Sequence, residues 1–258
     1  MRRIVTAIRA AAALALVLSV SGCASKSSKA KTPAEVLLNE RMAQVLLRDG
    51  QAVQAEKAFR DALKEDPKNP EVHDGLGLSL LMQGRFKEAL PPLDKAVSLS
   101  PENGSYRNNR GVAHMELGQY KEAQADFDAA ETSQNPDDRL SATINLGRLR
   151  QRQGDYKAAQ EEFTNALARD PKSFLAMLGR GIAKESAGDL QGAAEDYLGA
   201  IKLDTTNAEA NLRLGMCLLS LQKADLGRRY LQRAVDLDPT GDTGAKARLM
   251  LENSRNTS

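Results

Sequence analysis

Tryptophan is absent from the 258 residues, and the aromatic share is only 4%. A chain this poor in large rings can stay ordered when it is built of short units that each need only their neighbours. Cysteine is scarce as well. Cys23 and Cys217, with no Cys/His cluster around either, argue against a disulfide framework or a zinc site. Neither sign of charge prevails: the formal charge is +2, and the three arginines among the first 22 residues outweigh it. There is thus no basic excess to suggest nucleic acid, and the charge balance names no partner. No Ser/His/Asp set, paired-carboxylate motif or Gly-rich phosphate loop occurs, so an enzymatic reading has no residues to stand on. Length alone would permit one or two domains.

What the chain does have is a period. Glycine falls at positions 77, 111, 147, 181 and 215, in steps of 34, 36, 34 and 34 residues. A second comb of small residues runs Ala55, Ala89, Ala123, Ala159, Ala193 and Gly227. A third runs Ala62, Ala96, Ala130, Ala166, Ala200 and Ala234. Large residues stand three before the third comb: Phe59, Leu93, Phe127, Phe163, Tyr197 and Leu231. The stretch 140–173 shows the unit best, two short helices with a turn at Gly154 and a stop at Asp170-Pro171.

This pattern resembles the tetratricopeptide repeat, in six copies over roughly 36–241. The resemblance implies an all-α, right-handed superhelical solenoid of helix-turn-helix units, in which small residues let helices A and B approach and the large residue fills the gap against the next copy. The departures are modest. The aromatic of early helix A is replaced by Asn39, His73, Arg107, Thr143, Met177 and Asn211. Copy one has Ala43 in the glycine comb, copy six has Gln222 at the A–B turn, and copy three carries two extra residues near Ser133 to Asp138.

The first 22 residues read as an address rather than as fold. Arg2, Arg3 and Arg9 make a positive start, and Ala10 to Val20 is apolar apart from Ser19, too short to span a bilayer comfortably. The run ends in Val20-Ser21-Gly22-Cys23, which resembles the bacterial lipobox. That resemblance implies a lipoprotein signal peptide over 1–22, with diacylglycerol and an N-acyl chain (palmitate among them) on Cys23 and no other cofactor. Several chains on one residue satisfy the need for more than one acyl group in stable anchoring. Residues 24–31, ASKSSKAK, complete a tether over 23–31. Ala24 after the cysteine, rather than aspartate, implies sorting to the outer membrane with the array facing the periplasm.

The array proper occupies 32–253, with copies at about 36–69, 70–103, 104–137, 140–173, 174–207 and 208–241. Thr32-Pro33-Ala34-Glu35 forms a capping box for the first helix, and Asn69-Pro70-Glu71 repeats the capping logic. Pro91-Pro92 inside helix B of copy two removes two backbone donors and predicts a local irregularity, unless a place near the helix start tolerates it. Residues 242–253 form a capping helix, with Leu249 and Leu251 toward the last exposed face; residues 254–258 are expected to fray.

In the family so resembled, A helices line the concave face. The register then points Leu78, Leu81, Met82, Asn108, Asn109, Val112 and Met115 there from copies two and three. Asn145, Arg148 and Arg152 follow from copy four, and Leu178, Ile182, Arg213 and Met216 from copies five and six. An extended or helical peptide with an apolar stripe and an acidic end would suit such a face, although the same residues also suit solvated or packing roles. Val112 and Arg148 stand where the clamp of chaperone-binding repeats wants asparagine, which argues against a chaperone tail. His73, His114 and Cys217 fall at packing positions.

Six copies on a lipid anchor, with little else attached, resemble the Tgl-like type IV pilus pilotins, which help secretin subunits reach the outer membrane and assemble. The resemblance implies a secretin partner, a membrane contact through lipid alone, and no nucleic-acid or small-molecule substrate. A periplasmic adaptor docking peptidoglycan hydrolases or proteases is the other reading, with a basal-body or polysaccharide-export scaffold a third.

Overall fold

The computed structural model describes residues 33–256, with side chains from 39 to 254. The signal peptide, Cys23, the tether and the Thr32 cap lie outside the described residues, as does the end of the tail. Thirteen α-helices and no strand occur among the described residues. Copy one is α1 (Pro33–Arg48) and α2 (Ala52–Glu65), and copy two is α3 (Pro70–Met82) and α4 (Phe86–Leu99). Copies three and four are α5 (Gly104–Glu116) with α6 (Tyr120–Ala130), and α7 (Pro136–Arg152) with α8 (Tyr156–Arg169). Copies five and six are α9 (Phe174–Ser186) with α10 (Leu190–Leu203), and α11 (Ala208–Ser220) with α12 (Ala224–Leu237). The closing helix is α13 (Asp242–Asn256).

Helices α3, α5, α7, α9 and α11 start on side-chain caps. Asn69 and Asn103 each accept two backbone N–H groups of the first turn, and Asn135, Ser173 and Asn207 accept one each. Each A–B turn needs a residue in the left-handed region. Gly50, Gly84, Gly118, Gly154 and Gly188 supply it with φ of 71–87°, but copy six forces Gln222 to φ 60°.

Packing follows the combs. A methyl group built on Gly147 would lie 2.8 Å from the Phe163 ring, and one on Gly181 would lie 2.6 Å from Tyr197. Gly77, Gly111 and Gly215 meet Leu93, Phe127 and Leu231 in the same way. The large residue also abuts the next copy: a methyl on Gly179 would lie 2.5 Å from Phe163. All of these large residues are fully buried. Successive A helices pack against one another from α1 to α9, while no comparable packing joins successive B helices. The A helices are therefore the inner layer of the superhelix.

Three local expectations need correction. Helix α4 runs unbroken through Pro91 and Pro92. The carbonyls that lose intrahelical donors belong to Lys87 and Glu88, which are exposed and can be hydrated instead. The expected frayed tail is helical as far as Asn256. In that closing helix Ala247 and Leu251 are buried against copy six with Met250 beside them, whereas Leu249 points away at 53% exposed. The copy-three insertion acts on both sides of its loop. Helix α6 has 11 residues where the other B helices have 14, and α7 has 17 where α3, α5, α9 and α11 have 13.

Gln222→Gly is expected to stabilise the chain by about 1 kcal/mol, since only glycine takes that turn without steric cost. Gly181→Ala should cost about 1–3 kcal/mol by overfilling the space under Tyr197. Urea unfolding followed by circular dichroism reads both.

Candidate partner-binding groove

The inner face carries two hollows. The larger, about 520 Å³, lies across α5, α7 and α9 and brings together six of the residues expected there: Asn108, Asn109, Asn145, Arg148, Leu178 and Ile182. Ser105, Ile144, Gln151 and Leu175 complete much of its wall. The smaller, about 210 Å³, lies over copies one and two and includes Leu78 with Leu47, Glu71, Asp74 and Tyr106.

Other expected residues are placed differently. Met115 is fully buried among Phe127, Leu146 and Leu149, because it points to the next A helix instead of the open face. Leu81 and Val112 are partly buried against the cores of copies one to two and three to four. Met216 packs beside Leu212 and Leu231 in the cluster that the closing helix completes. Met82 is open to solvent at 53% exposed, outside both hollows. The two flanking arginines are engaged. Arg152 pairs with Glu116 at 2.6 Å, and Arg213 pairs with Glu209 at 2.7 Å and with Glu185 at 3.0 Å. Tyr197 donates its hydroxyl to the same Glu185 carboxylate at 2.5 Å, and burial together with that acceptor pushes the Tyr197 pKa well up.

The early part of the face is less apolar than its leucines and methionine suggest. Glu40 and Asp74 are buried, and burial raises both pKa values, Asp74 to about 6 although Asn109 donates to its Oδ1 at 2.8 Å. Glu71, beside Glu40, adds to the rise at Glu40. The register points Glu40 and Asp74 to this face, but their meeting with Glu71 in an acidic corner shows only when α1 and α3 stack.

Elsewhere the chemistry is structural. Cys217 is 1% exposed, and burial pushes its thiol up to about 11, the condition of an inert packing cysteine. His73 contacts the Pro67 carbonyl oxygen at 3.0 Å, and His114 contacts Gln119 Oε1 at 2.7 Å. No group of three metal-binding side chains occurs among the described residues, and no described helix is long and apolar enough to cross a membrane. A further hollow of about 620 Å³ is a polar dent at the copy-three loop, lined by Asn103, Ser133 and Asn135. On the outer side an apolar dent of about 190 Å³ is lined by Leu198, Leu214, Leu218, Leu226 and Tyr230.

Tetratricopeptide-repeat family models match residues 40–104 and 144–208, 102–172, and 208–240. The chain belongs to the tetratricopeptide-repeat family. Repeats of this family are protein-interaction scaffolds that bind protein partners. No curated protein sequence matches the chain. Solved structures share the fold. PilW, a widely conserved type IV pilus biogenesis factor, has a TM-score of 0.71 at 22% identity and covers 83% of this chain and 98% of its own. Pseudomonas aeruginosa PilF has a TM-score of 0.68 at 20% identity, with 84% of this chain and 98% of its own covered. A tetratricopeptide repeat protein from Parabacteroides merdae has a TM-score of 0.69 at 17% identity, covering 88% and 87%.

Asp74 gives this face a pH signature. The folded carboxyl holds its proton to about pH 6, whereas an unperturbed one releases it near 3.8. Its stabilising contribution is therefore complete below the lower value and is lost as pH rises through the upper one. Asp74→Asn should flatten the stability profile between about pH 4 and pH 6, and gain on the order of 2–3 kcal/mol over the parent at neutral pH. Urea midpoints across that range check this.

Proposed function

We propose that the chain is a pilotin: an outer-membrane-anchored, periplasm-facing scaffold that promotes localisation and multimeric assembly of the type IV pilus secretin. The observation that carries the reading is the six-copy array, whose fold PilW and PilF share over 98% of their own lengths. The Val20-Ser21-Gly22-Cys23 motif supports it from the other end of the chain, because a pilotin needs a lipid on its first mature residue. The mechanism is physical and non-catalytic. Acyl chains on Cys23 hold the array at the membrane, the tether gives it reach, and the inner face holds a segment of the secretin monomer. Binding there raises the local concentration of monomers where they must multimerise.

Deleting the gene should leave secretin monomer and remove multimer on immunoblots of unheated membrane fractions, and Cys23→Ala should do the same if the anchor is needed for assembly. Normal multimers in the deletion strain would overturn this reading and leave the envelope-adaptor reading to be pursued by pull-down.

A further inference from the structure

Many polar positions on the inner face are spent within the chain, and three that are not fully spent fall together. Counted from the helix-A glycine, the residue two before it reaches back to the preceding A helix: Asn109 to Asp74 at 2.8 Å, and Arg213 to Glu185 at 3.0 Å. The residue four after it reaches forward, as when Gln151 donates Nε2 to the Gly179 carbonyl at 2.9 Å. Asn145 occupies the backward-reaching position and has no hydrogen-bond partner among the described residues. The column one residue after the glycine reads Leu78, Val112, Arg148, Ile182 and Met216. Arg148 is its only charged member, is exposed, and has no carboxylate partner among the described residues. Asn108, 4% exposed, donates Nδ2 to the Asp138 carbonyl at 2.9 Å, and its Oδ1 has no donor. All three line the hollow of about 520 Å³, with Ile144, Leu178 and Ile182 as its apolar wall.

We propose that this hollow binds an extended segment of a protein partner with an acidic side chain for Arg148, backbone groups for Asn145 and Asn108, and a nearby apolar side chain for Leu178 and Ile182. The inference rests on the chain being a protein-binding scaffold, and not on the partner being a secretin. An internal Asp or Glu fits better than a chain-terminal carboxylate. A terminal carboxylate needs either free backbone N–H groups, which these helix interiors have already used, or a side-chain clamp like that of chaperone-binding repeats, which lacks its asparagines at Val112 and Arg148. The orientation is set as well. Asp138 lies at the other end of the hollow, ten residues before Arg148 on α7 and so about 15 Å away. Its carboxylate already accepts from the Ser133 hydroxyl at 2.8 Å and repels a second acid at that end. A span of about 15 Å holds roughly four to five extended residues. Ile182 holds on α9 the register that Arg148 holds on α7, and packed helices lie about 8–10 Å apart, so the acidic and apolar side chains belong two or three extended positions apart.

The test is selection of randomised displayed peptides of about seven residues on the detergent-solubilised full-length protein, beside Arg148→Gln, Arg148→Glu and Asn145→Ala, with circular dichroism confirming each fold. The parent should enrich peptides with that acidic–apolar spacing. Arg148→Gln should weaken them about tenfold, Asn145→Ala should weaken peptides irrespective of charge, and Arg148→Glu should turn the selection toward Lys or Arg. No enrichment, enrichment without an acid, or affinity indifferent to Arg148→Gln would overturn the proposal. Secretin immunoblots keep the two readings apart. Acidic segments selected while secretin assembles normally in the deletion strain would sink only the pilotin reading. Assembly lost in the deletion, with no acidic peptide enriched on the parent, would sink only the groove.

Discussion

The structure depends on one steric arrangement: a residue without a side chain on helix A lies directly beneath a large residue on helix B, sixteen positions later. Phe163 is held this way from two sides, by Gly147 of its own copy and Gly179 of the next. One ring thus closes a hairpin and fixes the distance to the neighbouring hairpin at the same time. That is how a chain with 4% aromatics stays ordered, because each large side chain serves two interfaces. The concave face follows from it. A helices that touch their successors, while B helices touch only A helices, must curve toward the A side.

Elements recorded by identity at a fixed spacing were legible in the sequence. The combs set helix pairing, turns and copy number, and the Asn69 cap of α3 was read from its residues. The inner-face residues were only partly legible, because helix A has three kinds of neighbour: the B helices before and after it, the A helices on either side, and solvent. Spacing separates the first from the others but does not separate the second from the third. Met115 stands four after its glycine and so belongs to the A–A interface, as do Gln151 and Glu185 at the same register. Arg213 stands two before its glycine and is likewise taken up by a neighbour.

A second regularity passed unnoticed because it has twice the repeat length. Just before the helix-A glycine, copies three and five have Arg110 and Arg180, while copies two, four and six have Leu76, Leu146 and Leu214. Each arginine pairs through two bonds with the aspartate just before the large helix-B residue, Asp126 at 2.6 and 2.8 Å and Asp196 at 2.6 and 2.8 Å. Both aspartates are nearly buried, so the bidentate geometry offsets their desolvation. A window of one repeat reads these as unrelated charges; a window of two shows an alternation between ionic and apolar closure of the same hairpin.

These internal pairings matter for binding because they remove charge from the inner face. With Arg152 and Arg213 neutralised by glutamates, the inner face retains an acidic corner at Glu40, Glu71 and Asp74 and, in the larger hollow, Arg148 with no carboxylate partner among the described residues. Such a face orients a segment more than it grips it. A hollow that takes roughly four to five extended residues buries far less than the 1,200 Å² or so of a stable interface, so affinity from the groove alone would be modest. The proposed membrane anchor would change that balance. A weak site linked to a surface that also holds its partner meets that partner at an effective concentration in the millimolar range. Weak, directional capture would then suit the proposed function, in which a subunit delivered for assembly must also be released.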